Sequence, residues 1–279
     1  MIELIYYSLL GVVIISKLIK AVVGFLALDL YFVFVPSLLD GPFLQFSAYL
    51  VFFPIAYFIA NWVGLNGLKG MGLLFHQGWL KNFILSFGIG FSFWMVMFGI
   101  QLLSGDLKWN SIREPSELLM PVLMIVVGFF IGSFINDLIV RGFIINLLKD
   151  KLHVGWVFTI SILIYALDDY WYAGFSLSNF IFSVILGLSL TYAFYKTGSI
   201  WANTGIHYGL NVAYGLFFGM VGIPGTSIFV VEEAVYESLV SEVLYYLIPA
   251  LMFITVLLVF RFYSQNTNDK KNAPLSIDV

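Results

Sequence analysis

Asn136, Asp137, Arg141, Asp168, Asp169, His207 and Asn211 are hydrophilic residues set in otherwise apolar stretches of the sequence. Such groups are costly inside a bilayer, and where they occur they usually face a helix-bundle interior and mark a functional route or site. Asp137 and Arg141 are four residues apart, so one helical face carries both and they can form a structural ion pair. His207 and Asn211 repeat that spacing and project together. Asp137, Asp168, Asp169 and His207 offer oxygen and nitrogen donors that suit several divalent ions, although no local metal motif is present and no cofactor is expected. Buried acids also serve proton or ion pathways. A plainer reading stays open beside these. The Asp137–Arg141 pair can simply lock two helices. His207 and Asn211 can be interhelical hydrogen-bond donors and acceptors worth about 1 kcal/mol each. Asp168 and Asp169 can sit at the outer water interface beside Tyr170, Trp171 and Tyr172, an aromatic belt.

The elements that must hold these residues follow from composition. The 279 residues are 61% hydrophobic, 19% aromatic and only 10% charged. A soluble domain carries about 25% charged residues, so this chain has too few to cover a surface facing water. The apolar residues come in long runs, and helices are the spanning elements that satisfy their own backbone hydrogen bonds in lipid. The expected fold is an all-α, polytopic membrane helix bundle of about eight transmembrane helices, each of about 20 residues. The candidate spans lie near 19–39, 43–65, 82–104, 118–148, 154–173, 177–196, 199–221 and 243–263. Residues 1–18 read as an interfacial segment leading into a bundle over 19–263, and 264–279 as a disordered polar tail. No cysteine is present, which excludes disulfides and thiol catalysis. Asp29 is a further acid, in the first span.

With the N-terminus placed inside, Lys17, Lys20, Lys69, Lys81, Lys149, Lys151, Lys196, Arg261, Lys270 and Lys271 fall on the cytoplasmic side, whereas Lys108 and Arg113 fall outside. The acidic connection around Glu232, Glu233 and Glu237 also falls outside. That bias agrees with the enrichment of cytoplasmic loops in basic residues and predicts both termini in the cytoplasm of a cell-membrane protein. At a rise of about 1.5 Å per residue, Asn136, Asp169 and Asn211 all lie about 20–24 Å from the cytoplasmic ends of their helices, so three helices can direct polar groups to one depth.

Two stretches carry a family resemblance. "NDLIVRGF", Asn136 to Phe143, is similar to the motif Glu-Glu-x-x-x-Arg followed by Gly and an aromatic. Arg141, Gly142 and Phe143 match, and Asn136 and Asp137 stand where the two glutamates belong. "TGSIWANTGIHYGLN", Thr197 to Asn211, resembles the motif His-x-x-x-Asn with its lead-in, matched by Thr197, Gly198, Ser199, Trp201, Ala202, His207 and Asn211. Between them "SILIYALDD" occupies the place of Phe-x-x-x-His, with Tyr165 for the aromatic and Asp169 for the histidine. In order and spacing these resemble the CAAX-processing and bacteriocin-immunity (CPBP, or Abi) family of intramembrane peptidases over about residues 118–221.

In active members the resemblance implies peptide hydrolysis within the membrane, with a glutamate as general base, two histidines, and an asparagine stabilising the oxyanion. His207 and Asn211 carry over in type. Asn136 cannot act as the base, because a neutral amide does not accept a proton from water, and an ionised Asp169 can only accept hydrogen bonds. The leading expectation is therefore a catalytically impaired family member acting as a membrane scaffold. It would bind another membrane or cell-envelope protein, or a bacteriocin-type peptide, with membrane lipid around it and no nucleic-acid partner. A second expectation is an endopeptidase with a rewired acid, Asp169 or Asp137, assisted by His207 and Asn211. A third is transport of an ion or small molecule.

Overall fold

The computed structural model describes residues 2–168, 170–234 and 238–261, and at 2–17, 42, 172 and 173 it describes the backbone only. Asp169, Glu237 and the tail from 264 onward, all singled out in the sequence, lie outside the described residues. Long apolar runs rich in Leu, Ile, Val and Phe form α1 (Ile2–Phe34), α2 (Pro42–Val63) and α3 (Trp79–Ser104). A longer helical stretch, Leu119–Leu148, contains α4 (Phe129–Asp137). Then come α5 (Val154–Asp168), α6 (Leu177–Thr197), α7 (Ile200–Phe218) and α8 (Leu239–Phe260). Residues 2–18 are helical and continuous with the first span.

Six helical stretches among the described residues are long and apolar enough to cross a membrane: Leu18–Leu38, Phe43–Val63, Trp79–Ser104, Leu119–Leu148, Leu177–Thr197 and Leu239–Phe260. The protein is accordingly an all-α, multi-pass membrane protein. Helices occupy all eight places read as spans, and two of them depart from simple spanning segments. α5 has 15 residues, fewer than the about 20 that a straight crossing takes. α7 has 19 residues and includes Asn203, Thr204, His207 and Asn211 among small side chains; thirteen of its residues are buried. Its surroundings are largely the rest of the protein, which lets it carry these polar side chains.

The stretch Leu119–Leu148 is not uniformly α-helical. Met124–Gly128 and Leu138–Phe143 are π-helical, so α4 is a nine-residue α segment bracketed by two wider turns. π turns are rare and occur often at functional sites. The Tyr208 hydroxyl donates to the carbonyl of Val126 in the first π turn at 2.9 Å, supplying a hydrogen-bond partner where the regular ladder is interrupted.

By contacts the chain forms two compact units, Met1–Leu73 with Leu138–Val157, and Leu74–Asp137 with Phe158–Val279. In the first, α1 packs on α2, and Leu28, Phe52 and Phe143 are fully buried. Gly142 sits directly on the carbonyl oxygen of Met71, where any side chain would overlap it. Arg141 is fully buried here, and Asp29 nearly so.

In the second unit one element escaped the sequence reading. β1 (Leu107–Ile112) pairs antiparallel with β2 (Phe229–Glu233), with Lys108 opposite Glu232 and Trp109 opposite Val231. The acidic connection is thus partly a strand, its Glu232 and Glu233 exposed. Asp106, just before β1, ties this ribbon to α8. Its carbonyl accepts from the Ala234 amide at 2.9 Å. Its carboxylate accepts from the Ser238 hydroxyl at 2.6 Å, Ser104 at 2.7 Å and Ser241 at 2.9 Å. Ser238 is also the N-cap of α8, its hydroxyl accepting from the amides of Val240 and Ser241. The hydrogen bonds from Ser238 and then Ser104 hold the Asp106 carboxyl below its ordinary value of 3.8. A lowered folded-state value gives stabilisation that is present above the unfolded value and is lost as pH falls through the folded one. Amide protection at the start of α8 is therefore expected to decline below about pH 4, and Ser238→Ala is expected to produce the same loss at neutral pH, both read by hydrogen exchange.

Candidate intramembrane polar site

The turn between α6 and α7 explains the lead-in of the last motif. Gly198 adopts φ 64°, a left-handed conformation that ends α6, and its amide bonds back to the Phe194 carbonyl. The Thr197 hydroxyl donates to the Ala193 carbonyl at 2.8 Å. Ser199 Oγ and Trp201 Nε1 both donate to the carbonyl of Leu74, at 3.2 and 3.0 Å, which fixes the start of α7. Trp201 also stands among aromatic rings, with centroids 4.6 Å from Trp79, 5.1 Å from Phe75 and 5.5 Å from Phe134. Trp79 of α3 is thus packed against the motif tryptophan.

The orientation of α7 is set by glycine. Gly205 and Gly209 lie against the backbone of α3, and Gly90 of α3 lies against the carbonyl of Ile206. A Cβ at Gly205 would stand 2.5 Å from the Phe83 carbonyl oxygen, and one at Gly209 would overlap that of Phe87. This close approach through small residues four apart is a recurrent way for helices to associate in membranes. With that face committed to α3, His207 and Asn211 project elsewhere on the helix.

There they meet α4 and α5. Asp137 Oδ2 lies 3.4 Å from His207 Nδ1, an ion-pair distance without hydrogen-bond geometry. Asn211 Nδ2 donates to Ser133 Oγ at 3.0 Å. Asn136 Nδ2 donates to Asp168 Oδ2 at 2.7 Å, joining α4 to the end of α5. The Tyr165 ring stands edge-on to the His207 imidazole, with centroids 5.9 Å apart. Ser133, Asn136, Asp137, Asp168 and His207 are all at most 9% exposed. The three helices thus bring Asn136, Asp137, His207 and Asn211 together, and Asp168 joins them, buried like its partner Asn136. Asp169 lies outside the described residues. Among the described residues no group of three His, Asp or Glu side chains comes together as a metal site.

Sequence reasoning missed two residues here. Ser133 lies four positions before Asp137 on α4, a signal that spacing offered. Asn203 lies four positions before His207, is fully buried, and neither its Nδ2 nor its Oδ1 has a hydrogen-bond partner among the described residues. Asn203, His207 and Asn211 therefore follow one another along α7 at four-residue intervals.

Helices that cross a membrane and place carboxylate, amide and imidazole groups against one another in their interior define a polytopic membrane protein with an internal polar centre. Residues 118–213, which hold every one of these motif residues, match the family model Rce1-like, type II CAAX prenyl endopeptidase Rce1-like. The match agrees with the resemblance to the CAAX-processing and bacteriocin-immunity family drawn from the motifs. Comparison with curated proteins and with solved structures finds no match.

Proposed function

We propose that this protein is a catalytically impaired member of the CAAX-protease type that acts in the cell membrane as a scaffold or binding partner, with both termini in the cytoplasm. The observation that carries the reading is the 2.7 Å hydrogen bond from Asn136 to Asp168. Asn136 stands at the position the resemblance gives to the general base. There it acts as a donor to a carboxylate, and a neutral amide removes no proton from water. Asp168 in turn has one carboxylate oxygen committed to that amide. A missing general base typically lowers rate by about 10² to 10⁴. The cluster then serves as an interhelical brace, and the partner is a membrane or cell-envelope protein or peptide.

Hydrolysis is the second reading, favoured by the Asp137–His207 approach of 3.4 Å. A carboxylate beside an imidazole, with the Asn211 amide one turn along, is the kind of set that activates water and stabilises an oxyanion. Purified protein in proteoliposomes, given a transmembrane peptide and separately a prenylated CAAX peptide, distinguishes the two. The scaffold reading expects no cleavage above that of a His207→Ala control. Cleavage of either peptide that disappears in both His207→Ala and Asp137→Asn would establish the hydrolase instead.

A further inference from the structure

A second feature of the molecule lies away from the polar centre, on the outer faces of α6 and α8. Tyr192 of α6 and Ile254, Leu257, Leu258 and Arg261 of α8 line a groove of about 360 Å³. Arg261 follows the last residue of α8, and Lys196 occupies the last turn of α6. The Lys196 ammonium stands 6.0 Å from the centre of the Tyr192 ring, which puts a second cation beside the groove. Ile254 and Leu258 are 51% and 63% exposed, so the apolar wall opens outward. From Ile254 to Arg261 the wall extends about 10 Å along the helix.

A cationic rim at the end of an apolar groove on a transmembrane surface is complementary to one class of molecule, a phosphate-bearing headgroup with an acyl chain attached. The five lining residues include no carboxylate that would repel it. Basic pockets between membrane helices bind anionic headgroups, and each Lys or Arg near the surface contributes enough attraction for about a fivefold gain in affinity. Helix C-termini also favour cations, so each residue alone has a local role. One cation in the lining of the apolar groove, and a second beside its Tyr192 wall, add the complementarity that a local role leaves unexplained. We infer that the α6–α8 groove is a binding site for an anionic phospholipid, the phosphate held by Arg261 and Lys196 and the first part of one acyl chain lying along Ile254, Leu257 and Leu258.

The test uses the full chain, delipidated in detergent, with phosphatidylglycerol and phosphatidylcholine of identical chains titrated by native mass spectrometry. Wild-type protein is expected to hold phosphatidylglycerol more tightly. Lys196→Gln with Arg261→Gln is expected to weaken phosphatidylglycerol about thirtyfold and leave phosphatidylcholine unchanged. Leu257→Trp, which fills the groove and keeps both cations, is expected to weaken phosphatidylglycerol as well; it also serves if the double variant fails to fold. Equal binding of the two lipids by wild-type protein would overturn the site, as would a monodisperse double variant that binds like wild type. Competition by soluble glycerol phosphate at the same concentration would overturn the lipid assignment in favour of free phosphate. None of these outcomes depends on whether the polar centre hydrolyses peptides.

Discussion

Asn136→Asp is expected to destabilise the protein at neutral pH by about 3–5 kcal/mol, the cost of leaving a buried charge without its partner. The substitution changes almost nothing in shape. It turns the 2.7 Å hydrogen bond from Asn136 to Asp168 into two carboxylate oxygens at the same separation. Both residues are at most 8% exposed, so water does little to screen the repulsion. Exchanging the partners, Asn136→Asp together with Asp168→Asn, rebuilds a donor facing an acceptor. The double variant is expected to recover most of the lost stability, and the coupling measured by thermal unfolding in detergent is the quantity that decides. If the single variant melts like wild type, the two side chains are not in contact and the brace is wrong. The double exchange also returns a carboxylate to the position the resemblance assigns to the base. Any cleavage that it gains over wild type would assign the general-base role to position 136.

The second large effect is at the α3–α7 contact. Gly209→Ala is expected to cost about 3 kcal/mol or more, at or above the upper end of overpacking effects, because the new methyl group meets backbone. It would overlap the Phe87 carbonyl oxygen and stand 2.8 Å from the Phe91 nitrogen, and neither atom can rotate away. Gly90→Ala meets the Ile206 carbonyl in the same way. Gly88→Ala on the same helix, where a Cβ has nothing within 4 Å, is the control. It is expected to be neutral or to stabilise by about 0.5–1 kcal/mol through helix propensity. Equal melting temperatures for the Gly209 and Gly88 variants would mean that α3 and α7 do not pack backbone to backbone.

The long apolar runs announced their helices because lipid leaves a spanning segment few alternatives. His207 and Asn211 were legible for a similar reason, since four-residue spacing on a helix fixes a shared face. Asp168 and Asp169 show where that logic stops. Neighbouring residues on a helix point about 100° apart, and spacing within one helix does not give the register of α5 against α4 that brings Asp168 to Asn136. The β1–β2 ribbon was hidden because its strands are six and five residues long and show no clean alternation of polar and apolar side chains. The π turns around α4 leave no compositional mark. Asn203 went unremarked because an asparagine near a helix start ordinarily reads as a capping or surface residue.

The seam between α3 and α7 carries a kinetic implication. Two backbones in direct register cannot part by rotating side chains, so these helices move as one beam and the imidazole of His207 is fixed to it. The wide turn at Met124–Gly128 is tied to the same beam, through the hydrogen bond from Tyr208 of α7 to the Val126 carbonyl.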